Sequence, residues 1–333
     1  MAADPAARLA RLLDLHTAIR DRLRAVLARG ELERNAATVR DDGVGDAIFA
    51  LDLDAEQVLL PYCERWGRNE CFRLVAEGLE PEGRVFGTPG VSGPEFVLIA
   101  DPIDGTRGLM FDKRPGWSLA ALAPERGPST ALADVSVAAM SELPTSRQHR
   151  VRRITAVRGG GARGLEEDLL RGTRSAIQPR PSRATTLRGG FASVVSFFRG
   201  GKERTARLEE RFLERALGPW DPSRCEVYTD QYICNGGQLA ELAFGHDRFV
   251  LDARPLVHRA LGVTHSLCAR PYDLCTALCA QEAGCIVTAP DGSALDAPLD
   301  TSTSVAFVGY ANRDLAELLQ PLLAESLRAE GLL

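Results

Sequence analysis

Oxygen ligands for a cation and a cradle for an anion fall together in one hexapeptide, Asp101-Pro102-Ile103-Asp104-Gly105-Thr106. Two carboxylates three residues apart suit a hard divalent cation, which selects oxygen donors. A helix starting after Gly105 would turn the N–H groups of Gly105 and Thr106 toward an anion. A cation beside an anion implies phosphate chemistry. The plainer reading is an acidic turn in which Asp104 caps a helix, as a single Asp-Gly often does.

The hexapeptide needs a rigid mount, and the chain supplies one. Phe96-Val-Leu-Ile-Ala100 is a short apolar run with β-branched members, the pattern of a buried strand. Pro102 removes a donor and stops it, and Gly105 permits a tight turn. Other acids stand at the ends of similar runs. Glu77 follows the strand Phe72–Ala76, and Asp252 closes the strand Asp247–Asp252 ahead of Arg254. Asp273 precedes a helix over 274–283 ended by Gly284, where alone it reads as an N-cap. Asp52 and Glu56 flank the start of a helix over 55–65.

The remaining pattern alternates strands and helices. Apolar spacing predicts an amphipathic helix over 5–29, a turn at Asp41-Asp42-Gly43, and strands over 117–123, 131–140 and 154–157. Residues 163–190 are Arg-, Pro- and Gly-rich with no regular period, and read as a crossing between subdomains. Helices follow over 205–217 and 238–244, strands over 286–288 and 305–309, and a closing helix over 314–328. Gly159-Gly160-Gly161 lacks the spacing of a dinucleotide fingerprint, and Lys202 lacks that of a phosphate-binding P-loop.

At 333 residues, 45% apolar and 26% charged, the chain fits a globular enzyme of two subdomains or one large α/β unit. The net charge of −5 hides an asymmetry. Arg147 to Arg215 holds 17 Lys/Arg against 7 Asp/Glu, a local +10 that leaves −15 elsewhere. Without aromatic RNA-binding motifs or zinc-finger spacing, this basic middle reads as a rim attracting anionic substrates rather than as a nucleic-acid surface. The eight cysteines form no CxxC pair, which suggests reduced thiols in a cytoplasm. No apolar run is long enough to span a membrane.

Taken in order, Asp52…Glu56, Glu77, the DPIDGT hexapeptide and Tyr272-Asp273 heading a helix that ends Glu282-Ala-Gly284 resemble the inositol monophosphatase superfamily of magnesium-dependent phosphomonoesterases. The resemblance covers about residues 40 to 310. Ala156–Ala162 also looks like that family's glycine hairpin, and Asp252-Ala-Arg254 looks most like the archaeal-type members, which act on inositol monophosphate and fructose bisphosphate. The resemblance implies a layered α/β (α+β) sandwich. An N-terminal antiparallel sheet with helices (1–180) would pack beside a C-terminal mixed sheet (181–333), with a basic insertion at about 185–235.

It also implies a site of two or three magnesium ions. Glu77, Asp101 and the Ile103 carbonyl would hold one, and Asp101, Asp104 and Asp273 the second. Thr106, oriented by Asp52, would with Glu77 position a metal-activated water. Gly105 and Thr106 amides would bind phosphate, and Asp252 and Arg254 the substrate. Such proteins are commonly homodimers. The substrate would be an inositol or sugar phosphate, with fructose-1,6-bisphosphate or a 3′-phosphoadenosine-type nucleotide as alternatives. Lys113, Arg114, Arg254 and Arg270 could form a second anion site. A weakly catalytic relative that binds RNA or protein through the basic middle is the reading from another class. Three departures stand out: Gly78 replaces the usual second acid after Glu77, Gly108-Leu109 replaces Asn-Phe, and Tyr272 replaces Trp.

Overall fold

The computed structural model describes residues 4–40, 47–88, 90, 93–263 and 267–333. The turn expected at Asp41-Asp42-Gly43 lies outside them. A two-stranded ribbon of β1 (Thr38–Arg40) and β2 (Ile48–Phe49) precedes the first main sheet. That sheet holds β3 (Phe72–Ala76), β4 (Arg84–Phe86), β5 (Phe96–Asp104), β6 (Gly116–Pro124), β7 (Val137–Leu143), β8 (Arg150–Val157), β9 (Ala162–Asp168) and β10 (Thr173–Ile177). Its strand order is β10-β9-β8-β7-β6-β5-β3-β4, antiparallel except for the parallel pair β3 and β5. The second sheet is β11 (Gly190–Val194), β12 (Val227–Tyr228), β13 (Asp247–Asp252), β14 (Ile286–Thr288) and β15 (Phe307–Tyr310) in the order β12-β11-β13-β15-β14. It is mixed: β11 runs parallel to β12 and β13, while β15 is antiparallel to β13 and β14.

The helices are α1 (Pro5–Leu27), α2 (Leu32–Asn35), α3 (Ala50–Gly67), α4 (Thr106–Met110), α5 (Lys202–Leu217), α6 (Asn235–Ala243), α7 (Arg254–Ala260), α8 (Pro271–Leu274), α9 (Ala277–Ala283) and α10 (Arg313–Ala329). They turn the two sheets into a layered sandwich. Phe96, Leu98 and Ala100 of β5 pack with Leu12, Leu15 and Ile19 of α1 and Leu59 and Trp66 of α3. Val97 and Ile99 face the other way, into a core shared with Leu239 of α6, Leu278 of α9 and the second sheet. All nine residues of β5 are buried, which explains a continuous apolar run where a one-faced strand would alternate.

Several boundaries differ from those read in the sequence. The helix expected over 55–65 begins at Ala50, so Asp52 sits in its first turn and accepts from the Phe49 amide at 2.8 Å. The strand expected from Ala131 starts at Val137, after a short 3-10 turn over Leu132–Asp134. The irregular stretch after Arg163 is not a crossing throughout, because β9 and β10 form an edge hairpin there, Thr173 opposite Asp168. Its charged residues are irregularly spaced, and Glu167 and Asp168 are buried in pairs with arginines, so no apolar period survives to mark it. Residues 185–235 supply β11, β12 and α5, with Val194, Leu208 and Phe212 buried in the core.

Much of the basic middle is neutralised locally. Arg150 and Arg152 meet Glu166, Arg153 and Arg174 meet Glu167, Arg171 meets Asp168, and Arg207 and Arg211 meet Glu330. All eight cysteines are free thiols. Among the described residues, no helix is long and apolar enough to cross a membrane.

Candidate metal and phosphate site

In a regular strand, residues three apart point to opposite faces. The end of β5 breaks that rule. Its pairing with β6 runs in register to Asp101 opposite Leu119, then slips, so that Asp104 falls opposite Trp117. The slip at Pro102-Ile103 brings both carboxylates to one side. There Asp101, Asp104 and Asp273 offer oxygens that all lie within 4.8 Å of one another. Asp273 comes from α8, where it is the third helical residue and not the N-cap. Its carboxylate accepts from the Arg270 amide at 2.6 Å. Glu77 leaves β3 beside Asp101, because Ala76 is paired in parallel with Ala100. It lies outside the 4.8 Å group but lines the same cavity.

Backbone amides hold these acids in place. Ile103 N–H donates to Asp101 at 2.9 Å. Gly236 N–H, in the first turn of α6, donates to Asp104. Glycine at 236 suits this approach, since a Cβ there would stand 2.6 Å from the Leu119 side chain and 3.0 Å from the Asp104 carboxylate and would have to push them aside. Gly105 is likewise required: its φ is +89°, and a Cβ would meet Cys234 at 3.0 Å. The Thr106 hydroxyl lies 2.8 Å from both Asp52 Oδ1 and the Ile103 carbonyl, so its one proton serves one acceptor at a time.

Crowding shows in the acid strengths. Burial raises Asp101 well above the carboxylate range, and the charges of Glu77, Asp104 and Asp273 add to it. Burial, then Asp273, pushes Asp104 up to about 8. Asp273 rises to about 6, mainly through burial. An all-oxygen set of buried acids that resist ionising together is the donor chemistry a hard cation completes.

The acids line a cavity of about 620 Å³ between the two sheets. Asp52, Gly105, Thr106 and Arg254 reach it, whereas Asp252 does not. Asp252 is fully buried behind Arg254, accepting from its backbone N–H at 3.1 Å and from its Nε at 2.9 Å. It therefore orients Arg254 and is not at hand for substrate hydroxyls. Arg270 lines the cavity and donates to Ser304 Oγ at 2.7 Å. Lys113 and Arg114 are not among the lining residues, and Arg114 forms a bidentate pair with Asp230 at 2.8 and 2.7 Å. The expected four-residue anion site therefore reduces to Arg254 and Arg270. Reading by sequence missed Gly236, whose only signal was the Asn235-Gly236-Gly237 run, and the cavity residues Phe197, Phe198 and Arg107.

No family model matches the chain, and no curated protein matches it in sequence. Solved structures do match in shape. A Pyrococcus horikoshii protein, described as hypothetical with similarities to inositol-1 monophosphatase, is 16% identical over 93% of this chain and 95% of its own, with a TM-score of 0.59. The Thermotoga maritima inositol monophosphatase is 17% identical over 97% and 100%, at 0.59. Leishmania major fructose-1,6-bisphosphatase in holo form is 13% identical over 96% and 94%, at 0.63. This chain has the inositol monophosphatase fold. Within that fold the acidic cluster and its cavity lie where the two sheets meet, with β5, β3 and the helix α8 packed on β5 feeding the acid-bearing side and α6 the other.

Proposed function

We propose that the protein is a magnesium-dependent phosphomonoesterase that releases phosphate from a small phosphorylated metabolite. The observation that carries this reading is the convergence of Asp101, Asp104 and Asp273 within 4.8 Å at the wall of a cavity that also presents Thr106. Asp101, Asp104 and Asp273 would hold cations, with Glu77 and the Ile103 carbonyl beside them. A bound cation neutralises charge on the phosphoryl oxygens and lowers the pKa of water toward neutrality. Asp52 accepts the Thr106 proton, which leaves lone pairs on the hydroxyl to receive a hydrogen from a water approaching phosphorus. Glu77, with a carboxylate on the same cavity, is the second acceptor for that water. Gly105 and Thr106 head the turn into α4, whose first amides have no partner inside the helix and suit phosphate oxygens. The neutralised arginines of the basic middle favour a small substrate over nucleic acid.

The test is release of inorganic phosphate from a panel of inositol, sugar and nucleoside phosphates, with magnesium and with chelator. Asp101→Asn is expected to lower the rate by on the order of a hundredfold or more while leaving the circular dichroism spectrum unchanged. Full activity in chelator, or in Asp101→Asn, would refute the reading.

A further inference from the structure

The cavity has two unlike walls. The first-sheet wall, with Asp273 of α8, carries the acids. The wall built by the second sheet carries none among the described residues: it presents Phe197, Phe198, Asn235 and Arg254, with the hydroxyl residues Ser302 and Ser304. A polyol leaving group is held by acceptors for its hydroxyls, most strongly by carboxylates. Here the carboxylate nearest that wall, Asp252, is fully buried and taken up by Arg254. The Asn235 amide is turned to Gln238 at 3.0 Å and to Asp252 at 3.3 Å. The flat groups of the cavity form a layered set, with Arg107 and Phe49 reaching it from the acid-bearing side. The Arg254 guanidinium lies 4.7 Å from the Phe197 ring centre and 5.6 Å from that of Phe198. The Arg107 guanidinium lies 5.1 Å from Phe198 and 5.5 Å from Phe49. The two phenyl rings meet edge to face at 5.4 Å.

These groups are held rigidly. Phe197 packs against the core, and Ser196 N–H just before it donates to Gln231 at 2.8 Å, while Gln231 donates back to the Val194 carbonyl at 2.8 Å. They also stand where an open α/β sheet binds ligands, beyond the carboxyl ends of the parallel neighbours β11 and β13. Phe198 is only half-buried. Alternating rings and guanidinium planes accept another flat ring by stacking or by edge contact.

We propose that Phe197 and Phe198, layered with Arg107 and Arg254, determine specificity for a phosphomonoester whose leaving alcohol carries a planar aromatic ring, such as a nucleoside. This rests on the phosphomonoesterase reading and narrows its substrate class. Two substrate pairs test it, each sharing its leaving CH2–O group and differing in the ring. They are adenosine 5′-monophosphate against ribose 5-phosphate, and benzyl phosphate against cyclohexylmethyl phosphate. With magnesium, the aromatic member of at least one pair is expected to have a KM at least about five-fold lower at similar kcat, as ring stacking supplies. Phe198→Ala should collapse that ratio toward one, and Phe198→Trp should keep or widen it.

Equal or reversed KM ratios in both pairs, or a ratio that Phe198→Ala leaves intact, would overturn the inference while the phosphomonoesterase reading stands. Hydrolysis of polyol phosphates with none of the four probes turned over would do the same. Release of phosphate from no ester at all would sink the underlying reading.

Discussion

Raising the pH of the metal-free protein from 5 to 8 should destabilise it, and the acidic cluster is the reason. Asp273 is held at about 6 and Asp104 at about 8, both above the free value of 3.8. A carboxylate with a raised folded pKa binds more protons in the folded than in the unfolded state between those two values. Its stabilising contribution is complete below about pH 4 and is lost as pH rises through 6 and then 8. For Asp273 alone the loss over its whole range is roughly 3 kcal/mol at about 1.4 kcal/mol per tenfold change, of which roughly 1.4 kcal/mol falls between pH 5 and 8. Asp104 acts in the same direction, though not additively, because the two groups share one repulsion. At about 2 cal/mol/K per residue, a 333-residue chain unfolds with an entropy near 0.7 kcal/mol/K, so 3 kcal/mol is roughly 4 °C of melting temperature.

The assay is calorimetric melting in chelator against Asp104→Asn, which removes one charge from the cluster. Other groups contribute to the slope in this range: Asp247 is raised to about 7 by burial, and the His16 ring, lowered to about 3 by burial, takes up a proton here only in the unfolded chain. They are common to both proteins and cancel in the difference. The wild type should lose several degrees more than the variant between pH 5 and 8. Magnesium at a hundredfold its dissociation constant should restore about 2.7 kcal/mol at pH 8, and less at pH 5, where it must displace protons. Parallel pH profiles for wild type and variant, with no magnesium response, would refute the crowded-carboxylate account.

Asp252→Ala strips the partner from a guanidinium that is itself only 8% exposed, so unfolding in urea should show a loss of roughly 3–5 kcal/mol. If the loss is under 1 kcal/mol, Asp252 does not hold Arg254. Gly236→Ala drives a methyl into Leu119 and the Asp104 carboxylate, so isothermal titration should show magnesium binding weakened roughly ten- to a hundredfold. Unchanged affinity would mean that the amide at the head of α6 does not set the Asp104 geometry.

Glu77, Asp101 and Asp104 were legible because they stand at the ends of short apolar runs, where strand patterning and residue type agree, whereas Asp273 ahead of its helix was marked only by the resemblance. The layered fold and its two sheets came from the resemblance to the inositol monophosphatase superfamily, not from the patterning. What the one-dimensional pattern could not carry was which side a residue faces. Asp252 ends a strand as Glu77 does, yet Arg254, two residues later, folds back onto it and takes its oxygens. The register slip that brings Asp104 beside Asp101 is a property of pairing with Trp117 and Leu119, not of the hexapeptide alone. Phe197 and Phe198 look like core residues in a sequence, and only the cavity distinguishes them.

The walls also divide the work electrostatically. Asp104 is held by an amide of α6 and not by a guanidinium, and Asp101 by the Ile103 amide. Amides orient a carboxylate without cancelling its charge, so the cluster keeps its demand for cations. The buried Arg254 guanidinium is hydrogen-bonded to Asp252, and it acts on Asp273 only through space, lowering that acid less than burial raises it. Had Arg254 paired with the cluster instead, the acids would ionise readily and hold a cation less tightly. Burying one ion pair behind the wall therefore does two things at once. It keeps the acidic cluster electronegative, and it leaves a flat guanidinium face beside Phe197 in the cavity.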